Sequence, residues 1–132
     1  MWPKVASASL LCTPGNGGHD ESMGYLVYDG DTRVTFDDRV LTHLEVVIVN
    51  KLRRKESFAV SWREPQDNGS GRTTIWLDVS IPLRFRYDGS RAPKLSREWV
   101  ERMAESATSA TGLIVTDEDG EPATGCTREN LP

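Results

Sequence analysis

The chain contains few of the residues that carry metal, thiol or imidazole chemistry. Its 132 residues include two cysteines and two histidines. Cys12 and Cys126 lie in segments typical of chain ends, so they predict free thiols and neither a disulfide framework nor a zinc site. With His19 and His43 alone, a Ser-His-Asp triad or a histidine-rich metal site is poorly supported. We therefore expect no metal, no cofactor and no catalytic residues.

Long apolar runs are also missing. No stretch approaches the roughly 20 apolar residues that cross a bilayer as a helix. The apolar run at residues 5–11 is too short for the hydrophobic region of a secretion signal. Free thiols are typical of reducing compartments. The sequence therefore predicts a cytoplasmic protein without a membrane segment.

A strong excess of basic residues is absent as well. The formal net charge is −4, but residues 23–116 carry 14 Lys and Arg against 13 Asp and Glu. After residue 116, five acidic residues face only Arg128. Tight, non-specific nucleic-acid binders usually have a large positive charge, and this chain does not.

The length and the turn-forming residues predict one domain between two unstructured ends. A Pro, Gly and Asn cluster at residues 13–18 cannot sustain a helix or a strand. We therefore expect a disordered leader at residues 1–22, a single domain at residues 23–116 and an acidic disordered tail at residues 117–132. Either Met1 or Met23 is the true start.

The most apolar stretch of the chain, residues 36–62, organises the predicted core. Asp37 or Asp38 is a suitable N-cap, apolar residues then recur at spacings of three and four, and basic residues follow. The β-branched run at residues 46–49 would suit a strand by propensity alone. Length, cap and charge order favour a helix, on which we expect His43 to be a surface or half-buried structural residue.

The remaining segments predict strands and one more helix. Strand patterns occur at residues 24–28, 32–36, 57–62, 72–77, 81–87 and 113–115, and a second apolar helical stripe begins after Ser96. The order β-β-α-β-β-β-α-β indicates an α+β fold, with a mostly antiparallel sheet and two packed helices. The eight-residue polar loop at 64–71 is long for a hairpin, so we expect it to be mobile or to bind a partner.

Basic residues supply the candidate binding site. If these residues share an exposed face, that face could hold phosphates, with Tyr87 and Trp76 nearby. The alternative is an ordinary solvated surface whose charges are balanced by nearby acidic residues. The candidate nucleic-acid-binding residues are Arg53, Arg54, Lys55, Arg72, Arg84, Arg86 and Arg91.

One short string is similar to the nucleotidyl-transfer motif of ATP-dependent DNA ligases, Lys-x-Asp-Gly-x-Arg. It runs Arg86-Tyr87-Asp88-Gly89-Ser90-Arg91. Arg86 stands where the ligases have the Lys that attacks the nucleotide. Because a guanidinium stays protonated and has no lone pair for attack, we expect no ligase catalysis from this string.

Residues 23–115 resemble a family of small actinobacterial proteins of uncharacterised role. The resemblance rests on FDDR at 36–39, VVIV at 46–49, KLRR at 51–54, ESF at 56–58, SWR at 61–63, GRT at 71–73, IWL at 75–77 and SIPL at 80–83. Members of this family are often named ATP-dependent DNA ligase. The resemblance therefore implies a ligase-like or ligase-accessory role as one alternative.

Three hypotheses about function remain open. The first is a small, non-catalytic cytoplasmic domain that binds nucleic acid or a DNA-processing protein through its basic residues. The second is the ligase-like or ligase-accessory role. The third is a structural, homo-oligomeric module that associates through an exposed Trp62, Trp76 or Trp99.

Overall fold

The computed structural model describes residues 23–87 and 93–129, and within them it has an α+β fold. The predicted element order and the two helices are confirmed, and one further strand follows. The strands are β1 (Met23–Tyr28), β2 (Thr32–Asp37), β3 (Phe58–Arg63), β4 (Arg72–Leu77), β5 (Leu83–Tyr87), β6 (Leu113–Ile114) and β7 (Cys126–Glu129). The helices are α1 (Asp38–Arg53) and α2 (Arg97–Ala107), and a 3-10 turn covers Gln66–Asn68.

The strands form two sheets. The first has four strands in the order β5-β1-β2-β7, and all its neighbours are antiparallel. The second has three strands in the order β4-β3-β6, with β3 and β4 antiparallel and β3 and β6 parallel. The mostly antiparallel pairing that the strand pattern predicts is therefore found, but it is divided between two sheets.

The first two strands form the predicted hairpin. Asp29 and Gly30 have φ angles of 56° and 79°, which is the left-handed backbone that a tight turn requires. Tyr28 is paired with Thr32, so three residues make the turn. The register brings Leu26 opposite Val34, and both side chains are fully buried.

Both helices begin at the residues that the sequence indicates. The Asp37 side chain accepts a hydrogen bond from the Arg39 amide at 3.1 Å and caps α1. Ser96 caps α2 by accepting from the Trp99 amide at 3.4 Å. Residues 46–49 lie within α1, so the helical interpretation of this β-branched run is confirmed.

The core lies where the two helices meet the inner faces of the sheets. Helix α1 contacts β1 and β2, and α2 contacts α1, β3 and β6. A Cβ atom on Gly24 would lie 2.7 Å from the Arg86 carbonyl oxygen and 2.9 Å from Leu41, so glycine lets α1 approach the sheet closely here. The largest fully buried side chains include Trp99, Phe36, Leu26, Leu41, Leu44, Ile48, Leu77, Met103 and Leu113.

The prediction of a disordered tail from residue 117 is wrong for residues 117–129. Strand β7 extends the four-stranded sheet by pairing with β2. Just before it, a Cβ atom on Gly125 would lie 2.5 Å from the Phe36 ring, so only glycine allows the chain to pass there. Arg39 also forms a 2.9 Å ion pair with Glu118. The acidic composition suggested disorder, because composition does not reveal contacts with distant parts of the chain. The predicted leader, residues 1–22, lies outside the described residues.

The prediction of free thiols is also wrong for Cys126. This residue is disulfide-bonded and 5% exposed, at the start of β7. The prediction failed because it rested on a tail that the fold does not contain. Cys12 lies outside the described residues.

Candidate nucleic-acid interface

Strand β5 places its arginines on the outer face of the four-stranded sheet. Its side chains alternate, so Arg84 and Arg86 are exposed, and Tyr87 packs on the inner side. There the Tyr87 hydroxyl donates a 2.5 Å hydrogen bond to Glu45 of α1. Burial, with the neighbouring Glu45 carboxylate, raises the pKa of Tyr87 above its ordinary value. This contact fixes which face of β5 turns outward.

The pairing register adds two further arginines to this face. Arg84 is opposite Val27, Val27 is opposite Arg33, and Arg33 is opposite Arg128. The row therefore crosses all four strands and carries three arginines, with Arg86 on the next row. We call this surface, with Arg33, Arg84, Arg86 and Arg128, the basic face.

Tyr25 supports one of these arginines. The Arg33 guanidinium carbon lies 4.0 Å from the centre of the Tyr25 ring, a cation–π contact. Tyr25 is opposite Arg86 on one side and Thr35 on the other. The ring thus holds Arg33 over the sheet and is itself covered by the guanidinium.

The basic face has little negative charge to balance it. Ion pairs within 4 Å in the described part of the chain involve none of its four arginines. Asp37 is the one carboxylate at an outward position of the four strands, and it caps α1. Arg33 and Arg128 are half-buried and directly opposite each other, an arrangement that is unfavourable for like charges.

The predicted basic residues do not form one surface. Arg53 is the last residue of α1, on the inner side of the four-stranded sheet, and Arg54 and Lys55 follow it. Arg54 lies 3.8 Å from Glu56. Arg72 belongs to the other sheet, where it is opposite Arg63.

Only Arg84 and Arg86 of the predicted set lie on the basic face. Arg91 is outside the described residues, as are the other residues of the ligase-like string from Asp88 onward. Sequence reasoning missed Arg33 and Arg128. Alternation within the predicted strand 32–36 was the available signal for Arg33, and the assignment of residue 128 to a tail hid the other.

The loop between β3 and β4 is built around a buried carboxylate. Glu64 is 7% exposed and accepts hydrogen bonds from the Trp62 indole at 3.0 Å and the Thr73 hydroxyl at 2.6 Å. It also accepts from Asn68 at 2.9 Å and from the Thr127 amide at 3.1 Å, as well as from the Thr127 hydroxyl. Burial alone would raise the pKa of Glu64, but these hydrogen bonds outweigh it and hold the pKa below its ordinary value. Glu64 therefore joins the loop to β7.

His43 is a structural residue, as expected, but it is fully buried and not half-buried or exposed. Its Nδ1 atom lies 2.7 Å from the Arg39 carbonyl oxygen, and Nε2 accepts from the Ser96 amide at 2.8 Å. These partners specify the neutral ring protonated on Nδ1. The ring stacks on Trp99 with centroids 4.0 Å apart. Burial lowers the pKa of His43, because desolvation disfavours the imidazolium.

A cleft of about 490 Å³ lies at the end of the three-stranded sheet. Trp76, Ala107 and Gly112 contribute to its walls. Lys51 and Glu56 also line it, and their charges are paired at 3.2 Å. The cleft therefore offers an exposed indole but no free charge from this pair.

Neither a metal centre nor a membrane helix emerges from the described residues. In residues 23–87 and 93–129, no three His, Cys, Asp or Glu side chains are grouped closely enough to hold a metal ion. No helix within the same ranges has the length and apolar character needed to cross a membrane.

A comparison with protein families gives a match over most of the chain. A family model described as a domain of unknown function, DUF7882, matches residues 23–118. No curated protein and no solved structure matches the chain. The match gives no activity, so it supports neither the ligase name nor an actinobacterial origin.

Proposed function

The chain belongs to the DUF7882 family, and we propose that it is a non-catalytic domain that binds nucleic acid on its basic face. The observation that carries this proposal is the direct pairing of Arg33 with Arg128. Like charges at opposite positions of a sheet repel each other. A phosphate bound between them would remove that repulsion and accept hydrogen bonds from both guanidinium groups.

The dimensions of the face suit a polymer better than a single anion. Arg84 and Arg128 are three strands apart, which corresponds to about 14 Å at the usual strand spacing. A single phosphate, with a charge of at most about −2, would leave the three arginines of this row incompletely neutralised. A nucleic-acid strand lying across the sheet would present several phosphates to Arg84, Arg33 and Arg128 together.

The chemistry of the face favours binding over catalysis. Arginine stays protonated at any working pH, so it supplies charge and hydrogen-bond donors but no nucleophile or base. Tyr25 is covered by Arg33, which leaves phosphate contact as the main interaction. We therefore expect little dependence on base sequence.

Anisotropy of labelled single-stranded and double-stranded DNA, titrated with the full chain across a salt series, tests the proposal. Binding should weaken steeply as salt rises, because phosphate contacts release counterions. The variant Arg33→Ala/Arg128→Ala should reduce the slope of log K against log salt by roughly 1.5.

The matched control is Arg54→Ala/Arg97→Ala, which removes two exposed arginines, one capping the end of α1 and one in α2, that contact Glu56 and Glu101. It should leave the slope near that of the parent chain. Flat titrations at low salt, or equal losses in the two double variants, would reject the basic face as the site. Binding of an acidic protein without DNA binding would also count against it.

The ligase-like alternative has less support. In that mechanism a lysine attacks the nucleotide, and Arg86 occupies the corresponding position on β5. An assay for covalent AMP transfer should therefore give no labelled protein, and labelling would overturn the non-catalytic proposal.

We also propose a cytoplasmic location, where nucleic acid is accessible, although the disulfide bond of Cys126 is more typical of oxidising compartments. Cell fractionation distinguishes a cytoplasmic location from an oxidising compartment. Recovery of the chain outside the cytoplasm would reject this part of the proposal.

A further inference from the structure

Among residues 23–87 and 93–129, strand β4 forms an outer edge of the three-stranded sheet. Its described strand partner is β3, on one side. The Glu64 amide donates to the Gly71 carbonyl at 2.9 Å, and Arg63 is opposite Arg72 in the next position. Because hydrogen-bonded pairs alternate along an antiparallel ladder, the backbone groups of Arg72, Thr74 and Trp76 point away from β3.

Apart from the charge of Arg72, this edge lacks the features that usually protect one. Proteins shield exposed edges with Pro, Lys, bulges or very short strands. At the opposite edge of the sheet, strand β6 has only two residues, and the chain around Ala123 covers that edge. The Ala123 amide donates to the Val115 carbonyl, and the Arg63 amide donates to the Ala123 carbonyl. Strand β4 has six residues and contains neither Pro nor Lys. Its outward-facing side chains, those of Arg72, Thr74 and Trp76, are exposed.

The side chains of β4 complement a second β4 in antiparallel orientation. If a two-fold axis passes beside Thr74, Thr74 lies opposite its own copy and Arg72 lies opposite Trp76. Cross-strand neighbours on one face of a sheet are close enough to interact. Each guanidinium would then lie beside an indole, which is the most favourable ring for a cation–π contact.

We propose that the chain forms a homodimer by antiparallel pairing of β4 with β4 of a second copy. Trp76 is 53% exposed in the single chain and would lose much of that exposure. Arg72 now faces Arg63 across the ladder and has no ion pair with any residue that the structure describes, so an indole on its other side is a better neighbour than water. Of the three tryptophans considered for self-association, Trp62 and Trp99 are 2% and 1% exposed and are excluded.

The backbone also fits this pairing. Thr74 of each copy would donate its amide to the Thr74 carbonyl of the other. The Trp76 carbonyl accepts from the Tyr28 hydroxyl at 2.8 Å, and its second lone pair is open to an inter-chain amide. Two six-residue strands bury less area than a standard protein interface, so we expect a micromolar dimer and not an obligate one.

Dimerisation does not depend on nucleic-acid binding, because β4 and the basic face belong to different sheets. Two joined copies would nevertheless present two basic faces and bind a long strand with higher avidity. The oligomeric state measured without nucleic acid therefore tests this inference separately from the proposed function.

Sedimentation equilibrium of the full chain over a concentration series is the first test. We expect the mass to rise from one chain to two, and Trp76→Ala to weaken dimerisation at least about tenfold. Val79→Ala, which truncates another exposed apolar side chain (57% exposed), is the matched control and should leave it unchanged. A single-chain mass up to the solubility limit would overturn the proposal.

Cross-linking tests the register. Thr74→Cys places two thiols across the two-fold axis at a Cα separation of about 5.5 Å, which a disulfide can span. Mild oxidation should therefore give a covalent dimer, whereas Asn50→Cys, at an exposed position of α1, should not. A dimer that Thr74→Cys fails to cross-link, or that survives Trp76→Ala unchanged, would place the interface elsewhere and reject this one.

Discussion

Glu64 and His43 are both buried and hydrogen-bonded, and both hold parts of the fold together, but Glu64 is charged and His43 is neutral. Glu64 stays ionised because donors from β3, the loop, β4 and β7 surround its carboxylate. His43 stays neutral because a carbonyl oxygen faces one ring nitrogen and an amide faces the other. Both pKa values are lowered, yet the causes differ: hydrogen bonds to the anion for Glu64 and desolvation of the cation for His43.

This difference shows how a buried polar group can define a junction. Glu64 receives hydrogen bonds from both Thr73 and Thr127, so one carboxylate joins the edge of one sheet to the last strand of the other. His43 joins two helices through one amide, that of Ser96, and a stacked ring. The charged junction at Glu64 has more hydrogen-bond partners than the neutral junction at His43. Removing Glu64 therefore leaves more donors without an acceptor.

The largest effect should come from removing the charged junction. Glu64→Ala leaves the Trp62 indole, the Thr73 hydroxyl and the Thr127 groups without their shared acceptor in a buried site. We expect the free energy of unfolding to fall by about 3 kcal/mol or more. Urea unfolding monitored by tryptophan fluorescence measures this change.

Glu105→Ala is the matched control, because Glu105 is exposed on α2. It should change the free energy of unfolding by no more than about 0.5 kcal/mol. If Glu64→Ala costs as little as the control, water replaces the carboxylate and the junction is not structural.

The stability that the neutral junction at His43 contributes should depend on pH, over a different range from that of Glu64. The pKa of His43 is lowered from 6.5 in the folded chain, so the unfolded chain binds the proton first as pH falls. Stability is therefore complete above pH 6.5 and decreases as pH falls from there towards the folded pKa. Protonation of Nε2 would also remove the acceptor for the Ser96 amide.

His43→Phe keeps a ring against Trp99 but cannot titrate. It should be less stable than the parent chain at about pH 7.5, and the difference should narrow at about pH 5. Urea midpoints at both values measure this. The pKa of Glu64 is lowered from 4.5, so its loss of stability begins only at lower pH. A parent chain with equal stability at both values would contradict the burial of His43.

Local signals predicted the elements, and long-range contacts explain what was missed. Asp37, the apolar spacing of α1 and the alternation of β5 gave correct structures because each depends on neighbours within a few residues. Glu64 looked like part of a polar loop, since its partner Thr127 is 63 residues away. Strand β7 was hidden for the same reason, because an acidic composition carries no information about β2 as a partner.

The candidate site was predicted only in part. Alternation placed Arg84 and Arg86 on one face of a strand, and the structure keeps them together. Alternation within residues 32–36 could have shown that Arg33 faces outward, but strand pairing is what brings Arg33 and Arg128 beside them. Arg53, Arg54 and Lys55 form a run in sequence, but they lie at the end of a helix on the other side of the sheet. Closeness in sequence was a poor guide to a surface built from four strands.

The smallest effect should come from the cap beside the neutral junction. Ser96 contributes its side chain to the Trp99 amide at 3.4 Å and its own amide to His43. Ser96→Ala removes the first bond and keeps the second, so we expect a loss of about 0.5 kcal/mol, at the low end for a cap. Asp37→Ala, which removes the 3.1 Å cap of α1, should cost about 1 kcal/mol. Because the Ser96 amide is unchanged, the pH dependence assigned to His43 should persist in Ser96→Ala. If this variant also lost the pH dependence, the hydroxyl rather than the amide would orient the histidine.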